Sequence, residues 1–169
     1  MRTAIALGSN LGDRLAHLRA AQSEVAALKG VSSPIRASRV YETEPVGTDA
    51  DAGAFLNAVI EVEFDGEPAA LLAGLQAIEG RLGRPTRHPP NASRTIDLDI
   101  LYLGDLVLHR DGITIPHPRL HLRRFVLAPL SDICPQTILP GQVKRVADLL
   151  AELCDPAKAE VVAQQWLHR

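Results

Sequence analysis

Two aspartates separated by a single residue form the pattern with the clearest chemical potential. In the segment RTIDLDIL (94–101), Asp97 and Asp99 alternate with apolar residues, as they would in a β-strand whose successive side chains point to opposite faces. At a rise of ~3.3 Å per residue the two carboxylates start roughly 6.6 Å apart, and at an effective dielectric of ~20 they repel by about 2.5 kcal/mol. An arginine could compensate this repulsion, and two divalent cations bridged by both carboxylates also fit the spacing. The alternative is an exposed strand face with ordinary solvated acids.

Basic residues flank this strand on both sides. Nine acids and no lysine or arginine occur between residues 42 and 79. Two acid-free segments follow, at 80–95 and 116–125, and their basic residues are Arg81, Arg84, Arg87, His88, Arg94, His117, Arg119, His121, Arg123 and Arg124. Guanidinium groups match phosphate oxygens, so the Asp pair and the arginines together indicate phosphoryl transfer. The alternative is that these arginines only solvate loops or pair with the acidic block.

A glycine-rich turn near the N-terminus lacks the pattern of a phosphate loop. The turn GSNLG (8–12) follows a predicted strand and precedes a predicted helix, but the sequence contains neither G-x-x-x-x-G-K-[ST] nor G-x-G-x-x-G. We interpret it as a tight strand-to-helix turn in which Asp13 caps the helix. Arginine side chains and metal ions would then have to hold the phosphates of a nucleotide.

Aromatic residues make up only 4% of the chain, which gives weight to the positions of the few. Phe55 begins a predicted strand two residues before Asn57, and Phe125 follows the second basic segment. A flat heterocycle could lie between two such rings while the Asn57 amide binds its edge. Core packing is the alternative for each phenylalanine.

The elements that must position these residues are predicted from apolar periodicity and turn residues. Strands are expected at 3–7, 31–42 (with Pro34 at an edge or bulge), 56–64 (half-buried) and 94–103, and a hairpin turn at Gly104-Asp105 leads into 106–108. Helices are expected from Leu15 to Leu28, at 68–83, around 125–127 and at 146–153. The order strand, helix, strand, strand, helix, strand predicts an α+β, ferredoxin-like (split βαβ) fold with an antiparallel sheet. A three-layer α/β/α sandwich in one domain, 1–169, is expected.

Composition excludes several classes of protein. The chain has 169 residues, a net charge of −2, 46% hydrophobic and 22% charged residues, which is enough apolar material for one domain with a core. This charge balance argues against a nucleic-acid binder, and no apolar run reaches the ~18 residues that span a membrane. The two cysteines, Cys134 and Cys154, lack metal-ligand spacing. We expect a reduced, cytoplasmic, monomeric protein.

Six blocks of the sequence occur together in an order typical of one enzyme family. They are G-S-N-L-G-D (8–13), Y-x-T-x-P-V-G (41–47), F-L-N (55–57), I-E…G-R (78–84), R-T-I-D-L-D-I (94–100) and P-H-P-R-L…R-R-F (116–125). With these blocks the chain resembles the 6-hydroxymethyl-7,8-dihydropterin pyrophosphokinase family of folate biosynthesis, from Ala4 to about Leu130.

The resemblance implies that the β,γ-pyrophosphoryl group of ATP moves to the hydroxymethyl oxygen of the pterin by attack at the β-phosphorus, with AMP as the other product. By position, Asp97 and Asp99 would hold two Mg²⁺ ions, and Arg84 and Arg94 would act with them in catalysis. The nucleotide site would consist of Gln76, Glu79, Arg84, Arg87, Arg94, Ile100, Thr114, His117 and Arg123. The pterin pocket would consist of Thr43, Val46, Phe55, Asn57 and Phe125.

The Pro-rich, arginine-bearing loop 84–93 is expected to close over ATP as a lid. Two positions depart from the family pattern: Asn91 stands where some relatives place a tryptophan, and Leu122 where relatives often have a polar residue. Arg87 stands where some relatives carry a lysine. Two other functions stay open from the residues alone. One is a non-catalytic ferredoxin-like module that binds a small molecule, and the other is a different two-metal enzyme, such as a phosphodiesterase or nucleotidyltransferase.

Overall fold

The architecture is that of a mixed α+β protein built on one large sheet. The structure is a computed structural model and describes residues 1–44, 53–83, 93–110 and 112–167. Its strands are β1 (Arg2–Ser9), β2 (Val31–Ala37), β3 (Val40–Thr43), β4 (Phe55–Phe64), β5 (Asp97–Leu103), β6 (Leu108–Arg110), β7 (Ile113–Ile115) and β8 (Ala159–Ala163). Its helices are α1 (Arg14–Ala26), α2 (Pro68–Arg81), a short 3-10 turn (Leu120–Leu122), α3 (Arg124–Ile133) and α4 (Val146–Glu152).

The six-stranded sheet is antiparallel throughout. Its order is β5-β1-β4-β3-β8, and β2 pairs with β4 beside β3. The chain order β1-α1-β2/β3-β4-α2-β5 places the first strand and β4 at the centre, which is the ferredoxin-like arrangement expected from the sequence. That fold prediction is confirmed. Within the described ranges, no helix is long and apolar enough to cross a membrane.

Two apolar layers cover the two faces of the sheet. The layer under the first two helices, here called the first layer, includes Ile5, Leu7, Ile60 and Val62 from the sheet, with Leu18, Ala21, Val25, Leu71, Leu75 and Ile78 from α1 and α2. The second layer packs Val126, Leu127, Leu130 and Ile133 of α3 and Val146 of α4 on Ala4, Val59, Leu101 and Tyr102. The expected three-layer sandwich therefore has an apolar core on each side of the sheet. Each fully buried Val, Leu or Ile contributes about 1.5–3 kcal/mol to the stability of the fold.

The prediction that strand 56–64 is half-buried is wrong. Both faces of β4 are buried because α3 covers the face that carries its polar residues. Glu61, 3% exposed, forms an ion pair with Arg36 (Nη1 to Oε1, 3.0 Å) and accepts a hydrogen bond from the Tyr102 hydroxyl. Burial raises the pKa of Tyr102, so its hydroxyl stays protonated and donates. A buried carboxylate with two such partners avoids most of the penalty of an isolated charge.

Two further corrections concern strand boundaries. The expected strand 31–42 is interrupted at Ser38, whose hydroxyl accepts the Val59 N–H at 2.9 Å in place of a backbone carbonyl. The register also shifts between Ser32 and Arg36, around Pro34, as that residue predicts. The hairpin expected at Gly104-Asp105 does not form; instead β6 pairs with β7 in a separate two-stranded sheet. Strand β8 was not expected.

Strand β5 carries one extra residue relative to its neighbour. Ala4 pairs with Tyr102 and Ile5 with Ile100, so Leu101 has no counterpart in β1. The side chains of Leu101 and Tyr102 both lie in the second layer, whereas that of Ile100 lies in the first. This is a β-bulge, and it separates the apolar end of the strand from the end that carries the Asp pair.

Candidate active site

The candidate site is a trench on the face of the sheet that α3 covers only in part. Gly8 of β1 lies in register between Asn57 of β4 and Asp97 of β5, and Ala6 lies in register with Asp99. Residues paired in this way point to the same face of a sheet. Because the two central positions have little or no side chain, they form a floor between an amide on one side and two carboxylates on the other. The lining also includes His117, Arg123, Phe125 and Val126.

The carboxylate side of the trench holds a charge pair. Arg94 Nη1 lies 2.7 Å from Asp97 Oδ2, and the two side chains are 17% and 26% exposed. Arg94 therefore compensates part of the charge repulsion between Asp97 and Asp99. Both Asp97 and Asp99 line the cavity, as their alternation with buried Leu98 predicts.

The donor set suits a hard divalent cation that brings ligands of its own. Within the part of the chain that the structure describes, no group of three or more His, Cys, Asp or Glu side chains comes together to hold a metal ion. Two carboxylates alone are what Mg²⁺ uses when substrate phosphates and waters supply its other ligands. Asp97 and Asp99 thus fit Mg²⁺ carried with a nucleotide better than a permanently bound metal.

His117 has a defined proton position. Its Nδ1 accepts the backbone N–H of Arg119 at 3.2 Å, while the backbone N–H of His117 donates to the Leu101 carbonyl at 2.9 Å. The ring proton is consequently on Nε2. Burial, with repulsion from Arg123 and then Arg119, lowers the pKa of His117 to about 4. His117 is therefore a neutral hydrogen-bond donor at neutral pH.

We expect the His117 imidazole to titrate near pH 4 rather than 6.5. Since its pKa is lowered in the folded state, the unfolded chain binds the proton more readily, so folding stability should fall as pH drops from 6.5 towards 4. The measurement is an NMR titration of the imidazole Cε1–H, with the resonance assigned by its loss in His117→Gln. A midpoint between pH 6 and 7 would contradict the geometry.

Arg123 adds a partly desolvated positive charge to the same wall. Burial, followed by repulsion from Arg119, lowers the pKa of Arg123, while Asp99 and Asp97 raise it. The guanidinium carbon lies 5.3 Å from the centre of the Phe125 ring, within cation–π range. The arginine is thus oriented along an aromatic face that also borders the trench.

The amide side of the trench is held by a short hydrogen bond. Asn57 Nδ2 donates to Thr43 Oγ1 at 2.7 Å, and both residues are buried. A Cβ built at Gly8 would lie 3.2 Å from Asn57 Oδ1 and 4.0 Å from Phe55 Cδ1. The structure thus brings Thr43 and Phe55 beside Asn57, and Phe125 lines the same trench, while Val46 lies outside the described residues.

Two of the other nucleotide-site candidates, Glu79 and Ile100, lie at the outer edge of β5. Glu79 Oε1 accepts the Leu98 N–H at 2.8 Å, which fills a position where a further strand would pair. Ile100, two residues on, has its side chain in the first layer, so only its backbone lies at that edge. Gln76 is exposed on α2 and Thr114 is half-buried on β7. Arg84 and Arg87, with Asn91 and nearly all of the expected lid, lie outside the described residues.

Sequence reasoning missed Gly8 and Asn10 as parts of the site. Both belong to the turn that we interpreted as structural, and Asp13 does cap α1, since its Oδ1 accepts the Ala16 N–H at 3.0 Å. The signal that could have indicated more is the buried, polar Asn10, 5% exposed, directly after a core strand. A buried amide needs partners, and those partners lie far along the chain.

Comparison with known proteins agrees with this geometry. A family model described as 7,8-dihydro-6-hydroxymethylpterin-pyrophosphokinase matches residues 4–135. The chain belongs to this family. The pyrophosphokinase match includes β1 from Ala4 onwards, β2 to β7 and α3, and so every described residue that lines the trench.

Relatives in the pyrophosphokinase family support the assignment. The 2-amino-4-hydroxy-6-hydroxymethyldihydropteridine pyrophosphokinase of Bacillus subtilis (strain 168) is 43% identical over 132 residues, which are 78% of this chain and 77% of the relative. A protein of the same name from Haemophilus influenzae is 35% identical over 151 residues, 89% of this chain and 92% of that one. Pyrophosphokinases of this family transfer a pyrophosphoryl group from ATP to hydroxymethyldihydropterin in folate biosynthesis.

Solved structures show the same fold. The Plasmodium falciparum HPPK-DHPS, wild type with SDX-DHP, superposes with a TM-score of 0.73 at 14% identity over 89% of this chain. Its A437G form with SDX-DHP gives a TM-score of 0.71 at 15% identity. The chain spans less than half of those proteins, 44% and 45%, so they support the pyrophosphokinase fold alone.

Proposed function

We propose that this chain carries out the family reaction in the trench, transferring the β,γ-pyrophosphoryl group of ATP to the hydroxymethyl oxygen of 6-hydroxymethyl-7,8-dihydropterin, with AMP as the second product. The observation that carries the proposal is the floor of Ala6 and Gly8, with the Asp pair along one side and the Asn57–Thr43 amide on the other. Two substrates can therefore meet over the floor, each held by a different wall.

The phosphate wall consists of Asp97, Asp99, Arg94, His117 and Arg123. Two Mg²⁺ ions held by the Asp pair would neutralise phosphate charge and orient the phosphate chain. Arg94 and Arg123 bind phosphate oxygens through their guanidinium groups, and His117 donates its Nε2 proton as a neutral group. Arg84 and Arg87 are proposed as further phosphate ligands on sequence grounds. The nucleoside is proposed to bind to Gln76, Glu79, Thr114 and the Ile100 backbone. ATP would then extend from the trench around the outer edge of β5.

The pterin wall consists of Thr43, Asn57, Phe55 and Phe125, with Val46 proposed on sequence grounds. Because Asn57 Nδ2 is committed to Thr43, its Oδ1 is the atom that faces the trench and accepts a hydrogen bond from the substrate edge. The aromatic rings bind the heterocycle face. This amide orientation predicts that a donor group of the pterin points at Asn57.

Positioning supplies most of the proposed rate enhancement. The one imidazole on the described trench wall has its Nδ1 lone pair bound to the Arg119 N–H and its proton on Nε2, so neither ring nitrogen is free to accept the proton of the alcohol. Alignment of the alcohol with the β-phosphorus and neutralisation of charge are then the principal contributions of this chain. Exclusion of water by the 84–93 loop is proposed in addition.

Three organisational points are proposals too. We propose that residues 1–169 form one domain, because β8 and β3 extend the same sheet that carries the Asp pair. We also propose that the protein acts as a monomer in the cytoplasm, which size-exclusion chromatography with light scattering and cell fractionation test.

The deciding experiment is product analysis by mass spectrometry with ATP, Mg²⁺ and 6-hydroxymethyl-7,8-dihydropterin, beside a reaction without pterin. AMP together with a pterin diphosphate is the expected result, since attack at the β-phosphorus gives no other pair. ADP would overturn the pyrophosphoryl assignment. Turnover of ATP that does not depend on pterin would favour another two-metal enzyme, and no turnover would favour a binding module.

We expect Gly8→Ala to raise the KM for the pterin about 10-fold, a penalty typical of one misplaced methyl group in a pocket. The new Cβ would lie 3.2 Å from Asn57 Oδ1, in the space proposed for the substrate edge. ATP affinity and thermal stability should change little. Gly80→Ala is the matched control, because its Cβ would meet nothing within 4 Å. An unchanged KM for pterin in Gly8→Ala would contradict the assignment of the floor.

A further inference from the structure

Asn10 bonds to two distant chain segments with the polar groups of its side chain. Its Oδ1 accepts the Arg94 N–H at 2.7 Å, and its Nδ2 donates to Ser93 Oγ at 3.0 Å and to the Gly53 carbonyl at 3.5 Å. Its backbone N–H donates to the Arg94 carbonyl at 3.1 Å. The residue is 5% exposed. Both backbone groups of Arg94 are thus bound by a single residue, although Arg94 precedes β5.

The helix does not require this arrangement. Asp13 supplies the N-terminal cap of α1. Asp13, not Asn10, is therefore the cap, and the shortest bonds of Asn10 go to the segment that leads into β5, next to the end of β1. The ladder between β1 and β5 begins at Asp97, so the bonds from Asn10 hold Arg94 at a point three residues before that ladder.

We infer that Asn10 is a positioning residue for Arg94. The guanidinium of Arg94 reaches Asp97 at 2.7 Å from a backbone that Asn10 holds on both its donor and its acceptor side. A misplacement of about 1 Å can cost on the order of 10²-fold in rate, so loss of this anchor is expected to be visible in turnover. The inference rests on the proposed function, in which Arg94 binds phosphate.

The test is a double-mutant cycle with Asn10→Ala, Arg94→Ala and the double variant, each assayed for kcat and for the KM of ATP and of pterin. We expect Asn10→Ala to lower kcat/KM for ATP about 10- to 100-fold and to change the KM of pterin less than 2-fold. We expect the double variant to be no worse than Arg94→Ala alone, because Asn10 acts through that side chain.

Asp13→Ala is the matched control for stability. It removes the cap of α1 in the same turn and leaves the bonds to Arg94 in place, so its kcat is expected to be unchanged at a temperature where all variants are folded by circular dichroism. Amide hydrogen exchange gives a readout that does not depend on activity: the Arg94 amide should exchange at least 10-fold faster in Asn10→Ala than in Asp13→Ala.

The positioning role would be overturned if the losses in kcat/KM of the two single variants multiplied in the double variant. It would also be overturned if Asn10→Ala kept normal turnover although its Arg94 amide exchanged rapidly. Failure of the proposed function has a different signature. In that case Arg94→Ala keeps full pterin-dependent turnover, or the wild type forms no pterin diphosphate, whatever the hydrogen exchange of Asn10→Ala shows.

Discussion

Asp97→Asn and Asp99→Asn are each expected to lower kcat by about 10²- to 10³-fold, the range seen when one group that stabilises transition-state charge is removed. Asparagine has the same shape as aspartate but lacks the negative charge that a divalent cation needs. Asp97→Asn also removes the anionic partner of Arg94, which lies 2.7 Å away, so it should be the more damaging change. The measurement is kcat at saturating ATP, Mg²⁺ and pterin.

The specificity of this effect is tested by the affinity for pterin, which is proposed to bind the opposite wall of the trench. Pterin affinity, measured by titration calorimetry, should change much less than kcat, because Thr43 and Asn57 are untouched. Asp105→Asn is the control, since it makes the same chemical change at an exposed position just beyond β5. Near-normal turnover of either trench variant in the presence of Mg²⁺ would rule out the Asp pair as the metal site.

Trp166→Ala is expected to destabilise the fold by about 3–5 kcal/mol, as large aromatic truncations in cores do. Trp166 is 2% exposed in the first layer, although it lies beyond the family match at 4–135. Its Nε1 donates to the Ser38 carbonyl at 2.8 Å, and its own carbonyl accepts Arg19 Nε at 3.0 Å. For a chain of this size the change corresponds to a fall in Tm of roughly 10 °C.

Circular dichroism is the appropriate measurement, because the sequence has a single tryptophan and the variant loses the fluorescent reporter. Trp166→Phe separates the two contributions: it retains most of the apolar contact and loses one hydrogen bond, so about 1 kcal/mol is expected. Val162→Ala, at a half-exposed position of β8, should be almost neutral. A Tm for Trp166→Ala within 2 °C of the wild type would show that the C-terminal segment does not support the core.

Local patterns predicted the central elements well. The apolar spacing of Leu18, Ala21 and Val25 identified α1, and Pro68 marked the start of α2. These features depend only on neighbours in sequence, and the physics of helices is local. The facing of Asp97 and Asp99 towards one side followed from strand alternation in the same way.

The errors arose where a distant segment decides the environment. Glu61 appeared in an alternating strand and was expected at a surface, but α3, more than 60 residues later in the chain, covers that face. The expected strand 94–103 begins only at Asp97, and the residues before it bond at Arg94 to the side chain of Asn10, which belongs to another turn. Strand β8 has exposed side chains at its three central positions and is defined by pairing with β3 rather than by apolar content. No window of sequence contains these contacts.

The candidate site was likewise predictable only where it depends on local residue patterns. The Asp pair and the basic segments were evident from residue types, and the family resemblance assigned their partners. The space between the walls was not evident, because a trench is made by the small side chains of Ala6 and Gly8 in register with larger ones. Register between strands is a long-range property, so it has no signature in a single segment.

The extra residue in β5, Leu101, determines which side chains of the strand point to each face of the sheet. Leu103 lies in the first layer, and strict alternation counted back from it would place Leu101, Asp99 and Asp97 in that layer as well. With Leu101 inserted as a bulge, Leu103 and Ile100 both pack against the apolar layer while the carboxylates open onto the trench. Deleting one residue there would turn two negative charges into the core, at a cost of several kcal/mol for each. One inserted residue thus lets a short strand pack against the core at one end and form an acidic wall of the trench at the other.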